Sequence, residues 1–205
     1  MTTLGFYQKL SGQTPITTRA AAQLAGVSIP AASMALRRLA AEGLCLSLKK
    51  GIWLVGEASS KPGALVTAAA APYVAYLSGW SALRLHGRIQ QIPQMQFAVT
   101  LGRPGELETP GGRVALHRLT PGLFGGYAYD PRAEGFVASP EKALFDLAYL
   151  SSMNRSRVSG NLPETDLKGL RWKEVQAWLR RIATPRIRAA VDRALKSLRE
   201  QHAEE

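Results

Sequence analysis

Apolar residues recur at helical spacing through the first part of the chain, and this pattern predicts three short helices. The first is predicted at residues 4–10 and the second at residues 19–24. Gly26 then interrupts the pattern, because glycine tolerates the positive φ of a tight turn between helices. A third helix is predicted at residues 29–42, since the Ser28 hydroxyl can cap its first turn.

The third predicted helix has two different sides. Ala32, Leu36 and Leu39 follow one another at spacings of four and three, which predicts a packed face. Met34 and Arg37 lie on the opposite side of the same helix. We therefore expect this second side to be open to a partner.

The period changes to two after the third helix, which is typical of β-strands. Leucine alternates with cysteine or serine over residues 44–48, and residues 52–55 are again apolar. The segment Lys49-Lys50-Gly51 separates the two runs. The pattern predicts a β-hairpin with a basic tip.

The segment at residues 57–63, with two serines and Pro62, predicts the boundary between a domain at residues 1–58 and a second domain at residues 59–205. The second domain mixes element types. Helices are predicted at 63–71, 78–86, from 139 onward, at 172–182 and at 185–201, and strands at 73–77, 94–101 and 113–119. The Gly/Pro-rich stretches at 102–112 and 120–135 are expected to be a turn and an irregular segment.

The order helix, helix, helix and hairpin is that of a winged helix-turn-helix, whose third helix can enter the major groove of DNA. The predicted fold class is α+β, with an N-terminal winged helix-turn-helix followed by a larger mixed α/β C-terminal domain that ends in two helices. The candidate DNA-binding residues lie on the second helix, the third helix and the hairpin tip: Thr18, Arg19, Ser28, Ser33, Met34, Arg37, Arg38, Lys49 and Lys50.

The net charge of the chain also favours a polyanionic partner such as DNA. The chain has 26 Lys and Arg against 15 Asp and Glu, a formal net charge of +11, which attracts polyanions. A GC-rich genome would produce a similar composition without any such function. The two closing helices are also basic and could contact nucleic acid, another partner or only water; their candidate residues are Arg180, Arg181, Arg186, Arg193 and Lys196.

Sequence motifs for catalysis are weak, so we expect no enzyme, no catalytic residue, no metal site and no cofactor. The three histidines and the one cysteine lack metal-ligand spacing. Residues 102–105 lack the lysine and hydroxyl residue of a phosphate-binding loop. Glu141 and Asp146 could be imagined as a nuclease centre, but a dipole-compensating Glu and a surface Asp explain them more simply.

The compartment is expected to be the cytoplasm. We find no signal peptide, and no run of apolar residues is long enough to span a bilayer, so no membrane partner is expected. Cys45 is the only cysteine and cannot form an internal disulfide, which fits a reducing compartment.

Three short segments carry a resemblance to a known family. They are YLSGWSALRLHG at residues 76–87, QIP at 91–93 and SPEKALFDL at 139–147. Following a predicted winged helix-turn-helix, they resemble the AbiEi antitoxins of type IV toxin–antitoxin systems. The likeness extends over nearly the whole chain.

The resemblance implies a two-domain cytoplasmic protein. Its N-terminal domain would bind inverted repeats in operator DNA and repress its own operon, with the 28–42 helix and the Lys49-Lys50 wing as the reading elements. Its C-terminal domain, beyond about residue 59, would counter a nucleotidyltransferase-type toxin without necessarily forming a stable complex. The alternative is a winged-helix transcription regulator with a ligand-sensing C-terminal domain and no toxin partner.

Overall fold

The N-terminal part of the chain folds into three helices and a small antiparallel sheet. The computed structural model describes residues 2–56, 60–109, 111–153 and 165–201. The N-terminal elements are α1 (Thr3–Leu10), β1 (Ile16–Thr17), α2 (Thr18–Ala25), α3 (Ile29–Ala41), β2 (Cys45–Lys49) and β3 (Ile52–Val55). The strands pair in the order β1-β3-β2.

Local chemistry sets the ends of these helices. The Thr17 hydroxyl accepts from the Ala20 amide at 3.1 Å, and the Ser28 hydroxyl accepts from the Ala31 amide at 3.3 Å. Both bonds satisfy a first-turn amide that has no partner within its helix. Gly26 ends α2 with a φ of +69°, so the predicted break between the second and third helices is confirmed.

The predicted packed face of α3 is also confirmed. Ala32, Leu36 and Leu39 are fully buried in a core that includes Phe6 and Leu10 of α1. Because α1 and α2 both pack against α3, one side of α3 is fixed in position. Complete burial of a large apolar side chain such as Leu36 stabilises the fold by about 2 kcal/mol.

The β2–β3 hairpin is buried on both of its faces. Trp53 and Val55 join the N-terminal core, whereas Leu48 and Leu54 join a second and larger core. The register shifts between Ser47 and Lys49, so Leu48 is an extra residue in its strand. The hairpin therefore connects two hydrophobic cores. Of the boundary segment predicted at residues 57–63, residues 57–59 lie outside the described residues.

The described residues from 60 onward form a mixed sheet covered by helices. Its elements are α4 (Pro62–Ala70), β4 (Ala75–Leu77), α5 (Gly79–Leu85), β5 (Gln96–Thr100), β6 (Gly105–Thr109), β7 (Gly112–Arg118), β8 (Tyr127–Asp130), β9 (Gly135–Ala138), α6 (Pro140–Ser152), α7 (Trp172–Arg180) and α8 (Pro185–Gln201). The six strands are ordered β6-β7-β5-β4-β9-β8. The β5–β7 and β4–β9 pairs are parallel, and the other neighbours are antiparallel.

Helix α4 packs directly on this sheet, against β4, β5, β7 and β9. Its closest approach is at Gly63, whose amide donates to the Ala133 carbonyl at 2.8 Å. A Cβ on Gly63 would lie 2.7 Å from the Gly135 backbone, so only glycine fits there. Helix α6 packs against α5, α7 and α8 and forms the centre of the helical layer.

The mixed α and β content of the predicted fold is confirmed, but two segments were predicted wrongly. Residues 102–112 contain β6, and residues 120–135 contain β8 and the first residue of β9. Glycines at strand ends, such as Gly105 and Gly135, produced the turn-like composition that hid these strands. Among the described helices, none has both the length and the apolar character that crossing a bilayer requires.

Candidate nucleic-acid interface

The outward side of α3 is open. Met34 is 57% exposed, and Arg37 and Arg38 are exposed beside it. In the part of the chain that the structure describes, neither arginine forms an ion pair. Pro30 and Ala31 are small exposed residues at the N-terminal end, so the helix can be approached closely there.

The turn before α3 adds a second open surface. Arg19, Gln23, Ser28 and Ile29 line a groove of about 520 Å³ between α2 and the start of α3. Sequence reasoning missed Gln23, although its position one helical turn after Arg19 indicated the same face. The groove brings two candidate residues, Arg19 and Ser28, to one side of the helix pair.

Another groove, of about 280 Å³, separates α1 from α3. Met34 and Arg38 line it together with Thr2, Thr3 and Phe6. Of the remaining candidates, Ser33 is half-buried. Thr18 also has a folding role, because its hydroxyl accepts from the Trp53 indole nitrogen at 2.9 Å.

The hairpin tip presents one lysine rather than two. Lys49 is half-buried, and its ammonium donates to the carbonyl oxygens of Ala69 at 3.1 Å and Ala71 at 2.7 Å. The prediction that Lys49 faces a duplex is therefore corrected: the C-terminal carbonyls of α4 attract the cation. Lys50 is exposed and remains a candidate.

The exposed charge of this unit is almost entirely positive. Arg19, Arg37, Arg38 and Lys50 are exposed, and Glu42 is the only acidic residue within residues 2–56. Opposed charges therefore do little to reduce the positive potential around α3. Such a surface attracts phosphate groups from a distance.

The candidate residues of the closing helices do not share one environment. Arg180, Arg186 and Arg193 are exposed. Arg181 stacks on the Trp178 ring, with its guanidinium carbon 4.2 Å from the ring centroid. The Lys196 ammonium pairs with Asp192 at 2.8 Å, so part of this predicted basic surface is neutralised.

The two carboxylates considered for catalysis have structural partners. Asp146 is fully buried, so the prediction of a surface Asp is wrong. Its Oδ1 pairs with the Lys142 ammonium, and its Oδ2 accepts from the Ser78 hydroxyl at 2.7 Å and the Tyr76 hydroxyl at 3.1 Å. Glu141 is only 3% exposed and accepts from the Arg171 guanidinium at 3.2 Å.

Burial and ion pairing shift the pKa values of Lys142 and Asp146 in opposite directions. Burial lowers the pKa of Lys142 and raises that of Asp146, while each charge favours the ionised form of the other. The carboxylate also raises the pKa of Tyr76 further above its usual range, after burial itself. The ammonium lies 4.7 Å from the Trp178 ring centroid and 5.1 Å from that of Phe145, which adds cation–π stabilisation.

The remaining metal-ligand and nucleophile candidates are dispersed. Burial raises the pKa of the Cys45 thiol to about 11, and its Sγ donates to the Leu36 carbonyl. The Nε2 atom of His86 lies 2.9 Å from the Ala138 carbonyl oxygen, and the His117 ring stacks on Phe97. His202 lies outside the described residues. Across residues 2–56, 60–109, 111–153 and 165–201, no three His, Cys, Asp or Glu side chains are grouped as metal ligands.

Among the described residues, exposed arginines without an ion pair thus lie on α3 and also on the closing helices, whereas the two carboxylates of α6 are buried. No family model and no curated protein matches this chain. What the chain does must therefore be inferred from these surfaces and from the resemblance of its motifs.

Proposed function

We propose that the protein is an operator-binding repressor and the antitoxin of a type IV toxin–antitoxin system. The observation that carries the DNA-binding part is the open outward side of α3, with Met34, Arg37 and Arg38 exposed while its other side is fully buried. A helix held rigidly on one side and open on the other matches the requirement for insertion into a major groove. In this proposal residues 1–58 form a winged helix-turn-helix.

In this proposal the residues divide into two roles. Arg37 donates to a guanine edge and Met34 contacts a thymine methyl group, because both project from the centre of α3. Arg19, Ser28, Arg38 and Lys50 contact phosphates, which positions the helix without reading sequence. Two copies of the chain would bind the two halves of an inverted repeat.

The antitoxin part rests on the motif segments at residues 76–87 and 139–147. Tyr76 and Ser78 come from the first segment and Lys142 and Asp146 from the second, and all four meet in the buried cluster. The shared motifs therefore support the framework of the second domain, at residues 59–205. We assign that domain the function of countering a nucleotidyltransferase-type toxin.

DNA binding is tested with the region upstream of the gene itself. Fluorescence anisotropy of a labelled upstream fragment should give an affinity at least about 100-fold tighter than a scrambled fragment of equal length at the same salt concentration. The Arg84→Ala variant, which removes an exposed charge from α5, should preserve that ratio. Equal affinities for the two fragments would contradict the repressor proposal.

The antitoxin part has a separate test. If the adjacent gene encodes a nucleotidyltransferase-like toxin, co-expression of the full chain should restore growth of cells that express it. Failure of the full chain to restore growth, with DNA binding intact, would favour the transcription regulator without a toxin partner.

A further inference from the structure

A groove of about 530 Å³ opens in the second domain, and none of the residues that line it belongs to α3 or its flanks. It lies between the β8–β9 edge of the sheet and helix α7. Tyr127, Val137 and Ala138 form the sheet side, and Ala177, Trp178 and Arg181 form the helix side. This volume is within the range of small-molecule sites.

The walls of the groove suit a flat apolar body. Val137 and Ala138 are buried residues of β9, and Ala177 and Trp178 are half-buried on α7. Gly126 also lines the groove and packs closely against Trp178, because a Cβ at this position would lie 2.8 Å from the Trp178 ring. Aromatic rings and small aliphatic groups thus line both sides.

The charge at the groove is unbalanced. Within the part of the chain that the structure describes, Glu174 is the carboxylate that lines the groove, and it is paired with the Arg171 guanidinium at 2.7 Å. Arg181 forms no ion pair among the described residues. Its guanidinium is instead held at 4.2 Å over the Trp178 ring. Among the described residues that line the groove, Arg181 is therefore the only lysine or arginine, and its charge is still available.

We propose that this groove binds a small organic anion with a planar aromatic body. The anionic group pairs with Arg181, and the ring occupies the space between β9 and α7. Stacking on Trp178 orients Arg181 before the ligand arrives, which reduces the entropy lost on binding. The inference is independent of whether α3 binds DNA.

The test is isothermal titration calorimetry of the full chain with two matched probes, indole-3-acetate and the uncharged indole-3-ethanol. We expect the acid to bind about tenfold tighter, the equivalent of about 1.4 kcal/mol, because only the acid forms a charge-assisted bond with Arg181. The Arg181→Gln variant should reduce the preference to less than about twofold. Lys173→Gln, which removes an exposed charge from α7, should leave the preference unchanged.

A second variant tests the location of the ring. Ala177→Trp should fill the groove and abolish binding of both probes, with thermal unfolding confirming that the variant is folded. Absence of saturable binding to the unmodified chain, equal affinities for the two probes, or a preference that survives Arg181→Gln would each overturn the proposal. Since no DNA is present, none of these results bears on the repressor function.

Discussion

At the scale of residues, Lys142 and Asp146 lie one turn apart on α6 with no solvent exposure. Desolvation of each charge costs several kcal/mol, and their mutual attraction offsets this cost only while both are present. The hydroxyls of Ser78 and Tyr76 complete the coordination of the carboxylate. The pair therefore fixes the position of β4 against α6.

We expect the single variants Lys142→Met and Asp146→Leu each to lower the free energy of unfolding by about 3–5 kcal/mol, because each leaves one buried charge without its partner. The double variant should lose considerably less than the sum of the two, since it leaves no unpaired charge. Urea unfolding of the four proteins measures the coupling. Additive losses would show that the two charges are not coupled.

His117 provides a pH-dependent contribution. Burial lowers its pKa from 6.5 to about 4, although Glu106 nearby acts in the opposite direction. The unfolded chain therefore binds a proton below pH 6.5 that the folded chain does not bind until about pH 4. The free energy of unfolding should fall by about 2 kcal/mol as the pH decreases across this window, after allowance for the partial exposure of the ring.

The matched variant is His117→Phe, which keeps the ring stacked on Phe97 and removes the titrating group. Its free energy of unfolding should depend less steeply on pH between 4 and 6.5 than that of the unmodified protein. Identical pH profiles from chemical unfolding would contradict the assignment.

At the scale of elements, the two lysines at the tip of the β2–β3 hairpin differ in function: Lys49 stabilises the fold, and Lys50 is proposed to contact DNA. Lys49→Ala removes two bonds to the end of α4 and should lower the free energy of unfolding by about 1–2 kcal/mol. Lys50→Ala should leave stability within about 0.5 kcal/mol but reduce the slope of log Kd against log salt by about 0.9, the loss of one phosphate contact. Denaturant unfolding and salt titrations of DNA binding check both effects.

The reverse assignment would contradict this account of the hairpin. If Lys49→Ala altered the salt slope and Lys50→Ala did not, the ammonium of Lys49 would have to leave the α4 carbonyls when DNA binds. The two variants remove the same charge from adjacent positions, so each is the control for the other.

Helices could be predicted from this sequence more closely than strands. Capping residues such as Ser28 and Ser139, each followed by proline in the first turn, indicated the starts of α3 and α6. Strands β6 and β8 lie at the two edges of the sheet, and each pairs only with the strand that follows it in the chain. Because the segments that contain them are rich in glycine and proline, propensity alone indicated turns there instead of hairpins.

The open side of α3 could be predicted because helical periodicity separates its two faces. The burial of Asp146 could not be predicted, because a carboxylate is ordinarily exposed and its two hydroxyl partners come from a distant segment, Tyr76 in β4 and Ser78 directly after it. One signal was present: Lys142 and Asp146 are four residues apart within an otherwise apolar run. The position of the Lys49 side chain likewise depends on α4, and the periodicity of the hairpin residues contains no information about that contact.

At the scale of the whole molecule, the hairpin couples the two hydrophobic cores. Trp53 packs into the N-terminal core, while Leu48 and Leu54 pack into the core of the second domain. The predicted division at residues 58 and 59 therefore follows a hairpin that both cores share. In the proposed complex with DNA, this connection would hold the second domain in a fixed position beside the duplex.

The most direct test of DNA reading by α3 is the ratio of affinities for the upstream fragment and for scrambled DNA, measured for the unmodified chain and for Arg37→Ala. We expect the variant to lose about 1–3 kcal/mol of binding free energy on the upstream fragment and much less on scrambled DNA, so the ratio falls. Arg84→Ala should keep the original ratio. An unchanged ratio for Arg37→Ala would contradict the assignment of Arg37 as a base-reading residue.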